Sequence, residues 1–199
     1  MKELLERITG IEHGFKHITD AGNTILSDSS QQPMELAKSF IIPHQPYQIR
    51  MLGTYLLGII AAHNPEALYL LEEGISNDEN WRVQEMLAKA FDDYCRTVGY
   101  KNALPKIKCW IDHENTNVKR AVTEGLRIWT GRDYFRENPA VAVTLISSNK
   151  NTTSVYLRKS IGNSLRDILE KHKEIVDAEV LQWDLNDKGL VFIRKLIYK

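Results

Sequence analysis

The segments VKRAVTEGLR (residues 118–127) and LRKSIGNSLR (residues 157–166) repeat one pattern at a distance of 39 residues. In each segment an apolar residue precedes two cations, apolar residues return one helical turn later, and a Leu-Arg pair closes the pattern. Matched segments at such a period are typical of stacked supersecondary units, each of which buries its apolar face against the next. The fold prediction rests on this repeat.

Similar apolar anchors extend the repeat along the chain. The Asn-Pro pairs at 64–65 and 138–139 each stand 19 residues before an anchor and supply a helix N-cap with a first-turn proline. Because no segment shows the alternation of a strand, we predict an all-α fold, an α-solenoid (α-α superhelix) of HEAT-like helical hairpin repeats. The anchors follow at spacings of 34, 35, 39 and 34 residues: Ile49, Val83, Val118, Leu157 and Val191.

The repeat pattern also predicts the domain organisation. We expect residues 1–199 to form a single HEAT-like repeat domain, with N-terminal helices over residues 1–44 and repeats over residues 45–199. Three elements are predicted in the N-terminal part: an amphipathic helix over 1–18, a polar loop over 23–33 and a helix over 34–41.

The charge of the chain is unevenly distributed. The formal net charge is zero, but residues 1–100 carry 8 Lys/Arg and 14 Asp/Glu, whereas residues 101–199 carry 18 and 12. The first half is therefore acidic by six charges and the second is basic by six. This asymmetry is consistent with a polyanion-binding surface and also with a solvated helical surface of mixed charge, and composition leaves both open.

Several other classes of function find no support in the sequence. Phosphate-binding and nucleotide-binding glycine motifs and the GxSxG nucleophile elbow are absent, so we expect no nucleotide cofactor. His13 and His17 are spaced for a shared metal, but a third ligand is missing, so no metal is predicted. The isolated cysteines Cys95 and Cys109, and an apolar run too short for a membrane, predict a soluble protein of the cytoplasm without membrane association.

The second helices of the hairpins carry one polar face. Positions two, six and nine residues after an anchor lie on one side of a helix, and we expect this side to line the concave surface of the solenoid. These positions hold Glu85, Lys89 and Asp92, then Arg120, Glu124 and Arg127, then Lys159, Asn163 and Arg166. The predicted buried stripe comprises Val83, Met86, Leu87, Phe91, Val118, Ala121, Val122, Leu126, Leu157, Ile161 and Leu165.

Glu85 stands out on this face, because Arg120 and Lys159 take its position in the next two repeats. Such a carboxylate is either part of a surface ion pair or a functional acid in a positive groove, and the residues leave both open. Trp81, one turn earlier, shares its face. Gly125 and Gly162 lie within helices, which indicates a close helix approach or a bend.

The chain resembles the DNA alkylation repair family of HEAT-like glycosylases, of the AlkD/AlkC type. The resemblance spans roughly residues 45–185 and depends on ordered spacing rather than on one short motif. Its carriers are WRVQE (81–85), NVKRAVTEGLR (117–127), ENP (137–139) and SVYLRKSIGNSLRD (154–167).

The resemblance implies an N-glycosylase that removes N3- and N7-alkylated purines from double-stranded DNA without flipping the base. Trp81 would pack on the sugar of the lesion, Glu85 would stabilise the developing oxocarbenium charge or direct water, and Arg120 would bind a phosphate. No cofactor is implied, and we expect a monomer. Six more residues are candidates for DNA contacts: Lys119, Arg127, Arg158, Lys159, Asn163 and Arg166.

Two positions depart from the family pattern. Glu85 replaces the aspartate of AlkD-type members and is one methylene longer, and Asn163 stands where the family has a second tryptophan. Two other interpretations therefore remain beside the glycosylase: a catalytically inactive relative that binds branched or distorted DNA, and a protein-interaction scaffold of the HEAT type.

Overall fold

The computed structural model describes all 199 residues, which form helices and no strands. The chain divides into two compact units, Met1–Val98 and Gly99–Lys199. The first unit contains α1 (Lys2–Thr9), α2 (Lys16–Ser27), α3 (Pro33–Phe40), α4 (Tyr47–Ile60), α5 (Pro65–Tyr69) and α6 (Trp81–Val98). The second contains α7 (Tyr100–Ile111), α8 (Thr116–Trp129), α9 (Pro139–Ser147), α10 (Val155–Leu169), α11 (Lys173–Val180) and α12 (Lys188–Ile197).

The second unit has two layers of helices. In one layer α10 packs between α8 and α12, and in the other α9 packs between α7 and α11. The helices α8 and α10 also each pack against both of their odd-numbered neighbours, as the hairpins of a helical repeat do. The predicted all-α fold of helical hairpins is confirmed, while the assignment of the whole chain to one domain stays a prediction.

In the first unit, α4 is the central helix. It packs against α1, α2, α3, α5 and α6, and it is buried along most of its length. A helix that is apolar all round is typical of such an interior position. After α5 the chain continues through a π turn (Leu70–Gly74) and a 3-10 turn (Ile75–Asn77) before α6 begins.

The repeat anchors lie at equivalent places in successive even-numbered helices. Ile49, Val83, Val118 and Leu157 are each the third residue of α4, α6, α8 and α10, and all four are buried. In the last repeat the third residue is Leu190, which is buried, whereas the predicted anchor Val191 is partly exposed. Both residues are apolar neighbours, so spacing alone did not distinguish them. All eleven residues of the predicted stripe are buried.

The N-terminal elements differ from the prediction. The first helix ends at Thr9, and α2 runs from Lys16 through Ser27, across the start of the predicted loop. Gly14, with φ +89°, lies in the break between the two helices. Ile18, Ala21 and Ile25 are buried in α2 at helical spacing, a signal that the polar residues around them concealed.

The two glycines within helices have different roles. At Gly162 in α10, an added Cβ would lie 2.6 Å from Cβ of Leu196 in α12, so this glycine permits the close approach of two helices. At Gly125 in α8, an added Cβ would lie 2.5 Å from the indole of Trp129, which folds back over its own helix. Gly125 therefore provides space for a side chain rather than for a neighbouring helix.

Neither cysteine forms a disulfide, and the surroundings of the two thiols differ. Cys95 is fully buried in α6, and burial raises the pKa of its thiol well above the ordinary value, whereas Cys109 in α7 is exposed. Separately, none of the helices combines the length and apolar character needed to cross a lipid bilayer.

Replacing Gly58 with alanine tests the packing of α4 on α6. The added Cβ would lie 2.5 Å from Cα of Ala90 and 3.0 Å from its carbonyl oxygen, which are backbone atoms that no rotamer change can move. Overpacking costs about 1–3 kcal/mol, more than the gain of about 1 kcal/mol in helix propensity. We expect Gly58→Ala to lower the free energy of unfolding in urea, and Gly74→Ala, which meets nothing within 4 Å at a helical backbone conformation, to leave it unchanged or raise it by up to about 1 kcal/mol. Equal effects of the two changes would contradict this packing.

Thiol reactivity tests the placement of the cysteines. A thiolate is the reactive form, so a buried thiol with a raised pKa reacts slowly. We expect an aromatic disulfide reagent to label Cys109 rapidly in the folded protein and Cys95 only after unfolding in urea. Rapid labelling of folded protein carrying Cys109→Ser would show that the burial of Cys95 is wrong.

Candidate nucleic-acid interface

The first part of the candidate interface is the start of α6. Asn80 accepts a hydrogen bond from the backbone N–H of Arg82 at 3.0 Å, which caps the first turn of the helix. Trp81, the first helical residue, is 52% exposed, an unusual position for an indole. Glu85 follows one turn later and is partly buried. The i, i+4 spacing places the two side chains on the same side of α6, as predicted.

Arg82 gives this helix start a feature that the sequence analysis missed. Its guanidinium carbon lies 4.4 Å from the centroid of the Trp81 ring and 5.2 Å from that of Tyr47. A nitrogen of the same guanidinium lies 3.4 Å from Nδ1 of His13. One face of Trp81 is thus covered by a cation, since stacked guanidinium groups are attracted by aromatic rings. No periodic signal could have identified Arg82, because it lies outside the polar face.

A separate group of candidate residues, in the second unit, lies on α8 and α10. Arg120 is 6% exposed, and its guanidinium carbon lies 4.3 Å from the centroid of the Tyr156 ring. Tyr156 is 40% exposed, so the aromatic ring faces solvent while the cation beneath it is buried. Tyr156 was not predicted, although it precedes Lys159 by three residues and Asn163 by seven and therefore shares their side of α10.

Glu124 is the centre of the polar contacts between α8 and α10. Its side chain is 14% exposed, and Oε1 accepts a hydrogen bond of 2.7 Å from the buried hydroxyl of Ser160. The carboxylate also lies 3.4 Å from Nη1 of Arg127 and 3.9 Å from Nη2 of Arg120. A buried carboxylate of this kind is stabilised by cations and hydrogen-bond donors together.

At the far end of α8, Arg127 makes a second ion pair. Its Nη1 lies 3.4 Å from Oδ2 of Asp167 in α10, and Oδ1 of the same aspartate lies 3.8 Å from Nε of Arg166. The structure therefore brings together two of the predicted DNA-binding arginines around one carboxylate that was not among the predicted site residues. The sequence LRD (165–167) indicates this contact only when Asp167 is compared with Arg127 of the preceding repeat.

The remaining candidates occupy different surroundings. Nζ of Lys119 donates a hydrogen bond of 2.9 Å to Oδ1 of Asn149, so this cation is engaged by the turn after α9. The guanidinium of Arg158 packs against Gly189 at the start of α12. Lys159 is exposed, and Asn163 is partly buried. Lys119 and Arg158, which follow their anchors by one residue, thus contact the neighbouring hairpin.

The predicted catalytic residues are divided between the two units. Trp81 and Glu85 belong to Met1–Val98, and Arg120 belongs to Gly99–Lys199. Their convergence on one lesion stays a prediction.

Removing the hydroxyl of Ser160 tests the contact between α8 and α10. Ser160→Ala leaves the largely buried Glu124 without its neutral donor, and the loss of such a partner costs about 1–3 kcal/mol. We expect a corresponding fall in the free energy of unfolding in urea. Ser27→Ala is the matched control, because this exposed hydroxyl donates its hydrogen bond to Thr24 of its own helix. A Ser160→Ala protein as stable as the control would contradict the described contact.

No protein-family model matches the chain. An alignment of 84 positions, which covers 40% of the chain and 24% of the other protein, shows 26% identity to the uncharacterised protein YhaZ of Bacillus subtilis. Among solved structures, AlkC from Pseudomonas fluorescens, an alkylpurine DNA glycosylase bound to DNA with an abasic site analogue, has a TM-score of 0.53. The match covers 97% of the chain and 61% of AlkC at 18% identity, so it is a likeness of fold alone.

Two crystal structures from Streptococcus mutans are much more similar. The protein smu.31 is 38% identical with a TM-score of 0.86, and the match covers 100% of the chain and 98% of smu.31. AlkD2 is 41% identical with a TM-score of 0.93, and the match covers 100% of the chain and 95% of AlkD2. This identity extends over the whole length of both chains and not over one motif, so the protein belongs to the AlkD/AlkC-type DNA alkylation repair family.

Proposed function

We propose that the protein binds double-stranded DNA and hydrolyses the N-glycosidic bond of N3- and N7-alkylated purines. Membership of the family supports a role in DNA alkylation repair, and the name of AlkC suggests the substrate class. The observation that carries the proposal is the pair on α6, a half-exposed tryptophan with a carboxylate one turn later.

The chemistry of the substrate matches these side chains. An alkyl group on N3 or N7 leaves the purine positively charged, so the base departs as a neutral molecule with the electron pair of the C1′–N bond. Positive charge then develops on the sugar, and a fixed carboxylate stabilises it. Glu85 is assigned this role and orients the water whose oxygen bonds to C1′, while the proton of the water passes to the carboxylate or to solvent. Trp81 is assigned the contact with the sugar.

The basic half of the chain supports DNA binding, and the resemblance to the family implies recognition without base flipping. Lys159 is exposed, and the side chains of Arg127 and Arg166 are 34% and 39% exposed on adjacent helices. Cations placed in this way neutralise phosphates and release counter-ions from the duplex, which makes binding dependent on salt. In a mechanism without base flipping, the lesion stays in the stack and the protein reaches its sugar from the backbone side.

One residue favours a second candidate function, DNA binding without chemistry. Asn163 stands at the place where the family pattern has a second tryptophan, and its partly buried amide offers no aromatic surface. A protein of this kind would recognise branched or distorted duplexes through its cations alone.

Release of free base from methylated duplex DNA tests the glycosylase. We expect mass spectrometry to detect 3-methyladenine or 7-methylguanine after incubation with the purified protein. Glu85→Gln removes the charge that stabilises the sugar while keeping the size of the side chain, and we expect it to reduce release at least about 100-fold. Glu3→Gln is the matched control, since it changes the net charge equally at an exposed site on α1.

The outcomes separate the two candidates. If the unaltered protein releases no base but binds the duplex with an affinity that falls steeply with salt, the second candidate is correct. If release occurs and Glu85→Gln retains it in full, the assignment of Glu85 is wrong.

A further inference from the structure

Asp167 occupies an unusual position between two arginines. It reaches Arg127 of the neighbouring helix through Oδ2 at 3.4 Å and Arg166 of its own helix through Oδ1 at 3.8 Å. The side chains of the three residues are 34–40% exposed, so solvent reaches every partner. Two guanidinium groups on different helices therefore contact one carboxylate, in a position that another anion could occupy.

These ion pairs differ from the buried ion pair between Arg50 and Asp78 in the first unit. Arg50 and Asp78 are joined by two hydrogen bonds of 2.6 and 3.0 Å, and their side chains are only 13% and 10% exposed. Separating such a buried pair is costly, whereas exposed pairs at longer distances contribute little to stability. The contacts of Asp167 are thus weak enough to be exchanged for another anion.

Glu124 also contacts Arg127, but it is held in place. Its carboxylate is 14% exposed and accepts the short hydrogen bond from Ser160. It orients the guanidinium of Arg127 from the buried side, and Asp167 approaches from the exposed side. Only the second of these carboxylates can leave without breaking the packing between α8 and α10.

We propose that Arg127 and Arg166 form a two-arginine phosphate clamp whose resting counter-ion is Asp167, and that a DNA phosphate displaces this carboxylate. Guanidinium groups bind phosphate oxygens in a planar, paired geometry, and a phosphate in the clamp exchanges one anion for another. The carboxylate keeps the arginines aligned in the absence of DNA and competes with unspecific phosphates. This inference rests on the proposed DNA-binding function.

Asp167→Asn tests the clamp, because it predicts a gain rather than a loss. We expect the variant to bind a short fluorescein-labelled duplex about 3- to 10-fold more tightly than the unaltered protein, the effect of freeing two exposed ion pairs. Fluorescence anisotropy at fixed salt measures the affinity. Asp177→Asn is the matched control: it also removes one negative charge and releases a cation, Lys173, but on α11 in the other layer. This control should change affinity less than about 2-fold.

A double-variant comparison separates the clamp from a general effect of charge. In a protein with Arg127→Gln and Arg166→Gln, binding should weaken, and the further change Asp167→Asn should have no effect, because the carboxylate acts only through these arginines. The same gain with and without the arginines would overturn the proposal.

The remaining outcomes distinguish the clamp from the function on which it rests. If the unaltered protein binds the duplex and Asp167→Asn binds no better than the Asp177→Asn control, the clamp alone is wrong. If neither the unaltered protein nor any variant binds duplex DNA, both the clamp and the proposed DNA-binding function are wrong.

Discussion

Within each unit, close packing between successive even-numbered helices determines which side of each helix carries the polar side chains. In the second unit, Gly162 lets α10 approach α12, and in the first, Gly58 lets α4 approach α6. The apolar stripe of each helix is buried against the neighbouring helices, so charged residues occupy the opposite side. Because the anchors Val118 and Leu157 are each the third residue of their helices, the charged sides of α8 and α10 stay in register. The contacts of Glu124 and Asp167 across α8 and α10 depend on this register.

The sequence was sufficient for the parts of the fold that follow from periodicity. The anchors and the buried stripe could be predicted because apolar residues at helical spacing have few alternatives in a repeated hairpin. The boundary of α2 could not, since Ile18, Ala21 and Ile25 are separated by polar residues that are equally frequent in loops. Val191 and Leu190 are neighbouring apolar residues that both fit the repeat spacing, so the sequence does not distinguish them. Only packing in three dimensions shows that Leu190 is the buried anchor.

The polar face was more difficult to predict than the apolar one. A helical pattern shows which residues share a side, but it does not show which charges compensate each other across helices. The pattern therefore places Glu124 on the polar face with the cations but does not predict its contacts with Ser160 and Arg127. It also does not predict Asp167 as a residue of the site. Tyr156 and Arg82 were missed for a related reason, because cation–aromatic contacts join residues that are distant in sequence or adjacent on different sides of a helix. Whether Trp81, Glu85 and Arg120 act together stays a prediction.

The exposure of Trp81 has an optical consequence. The other three tryptophans, Trp110, Trp129 and Trp183, are at most 5% exposed, whereas half of the Trp81 surface is open. A dissolved quencher such as iodide therefore reaches one indole in four, and the quenchable part of the intrinsic emission originates from the start of α6. A molecule that binds at that helix end shields the indole of Trp81 from the quencher. Its binding can therefore be followed by intrinsic fluorescence, without a dye and without a change to the chain.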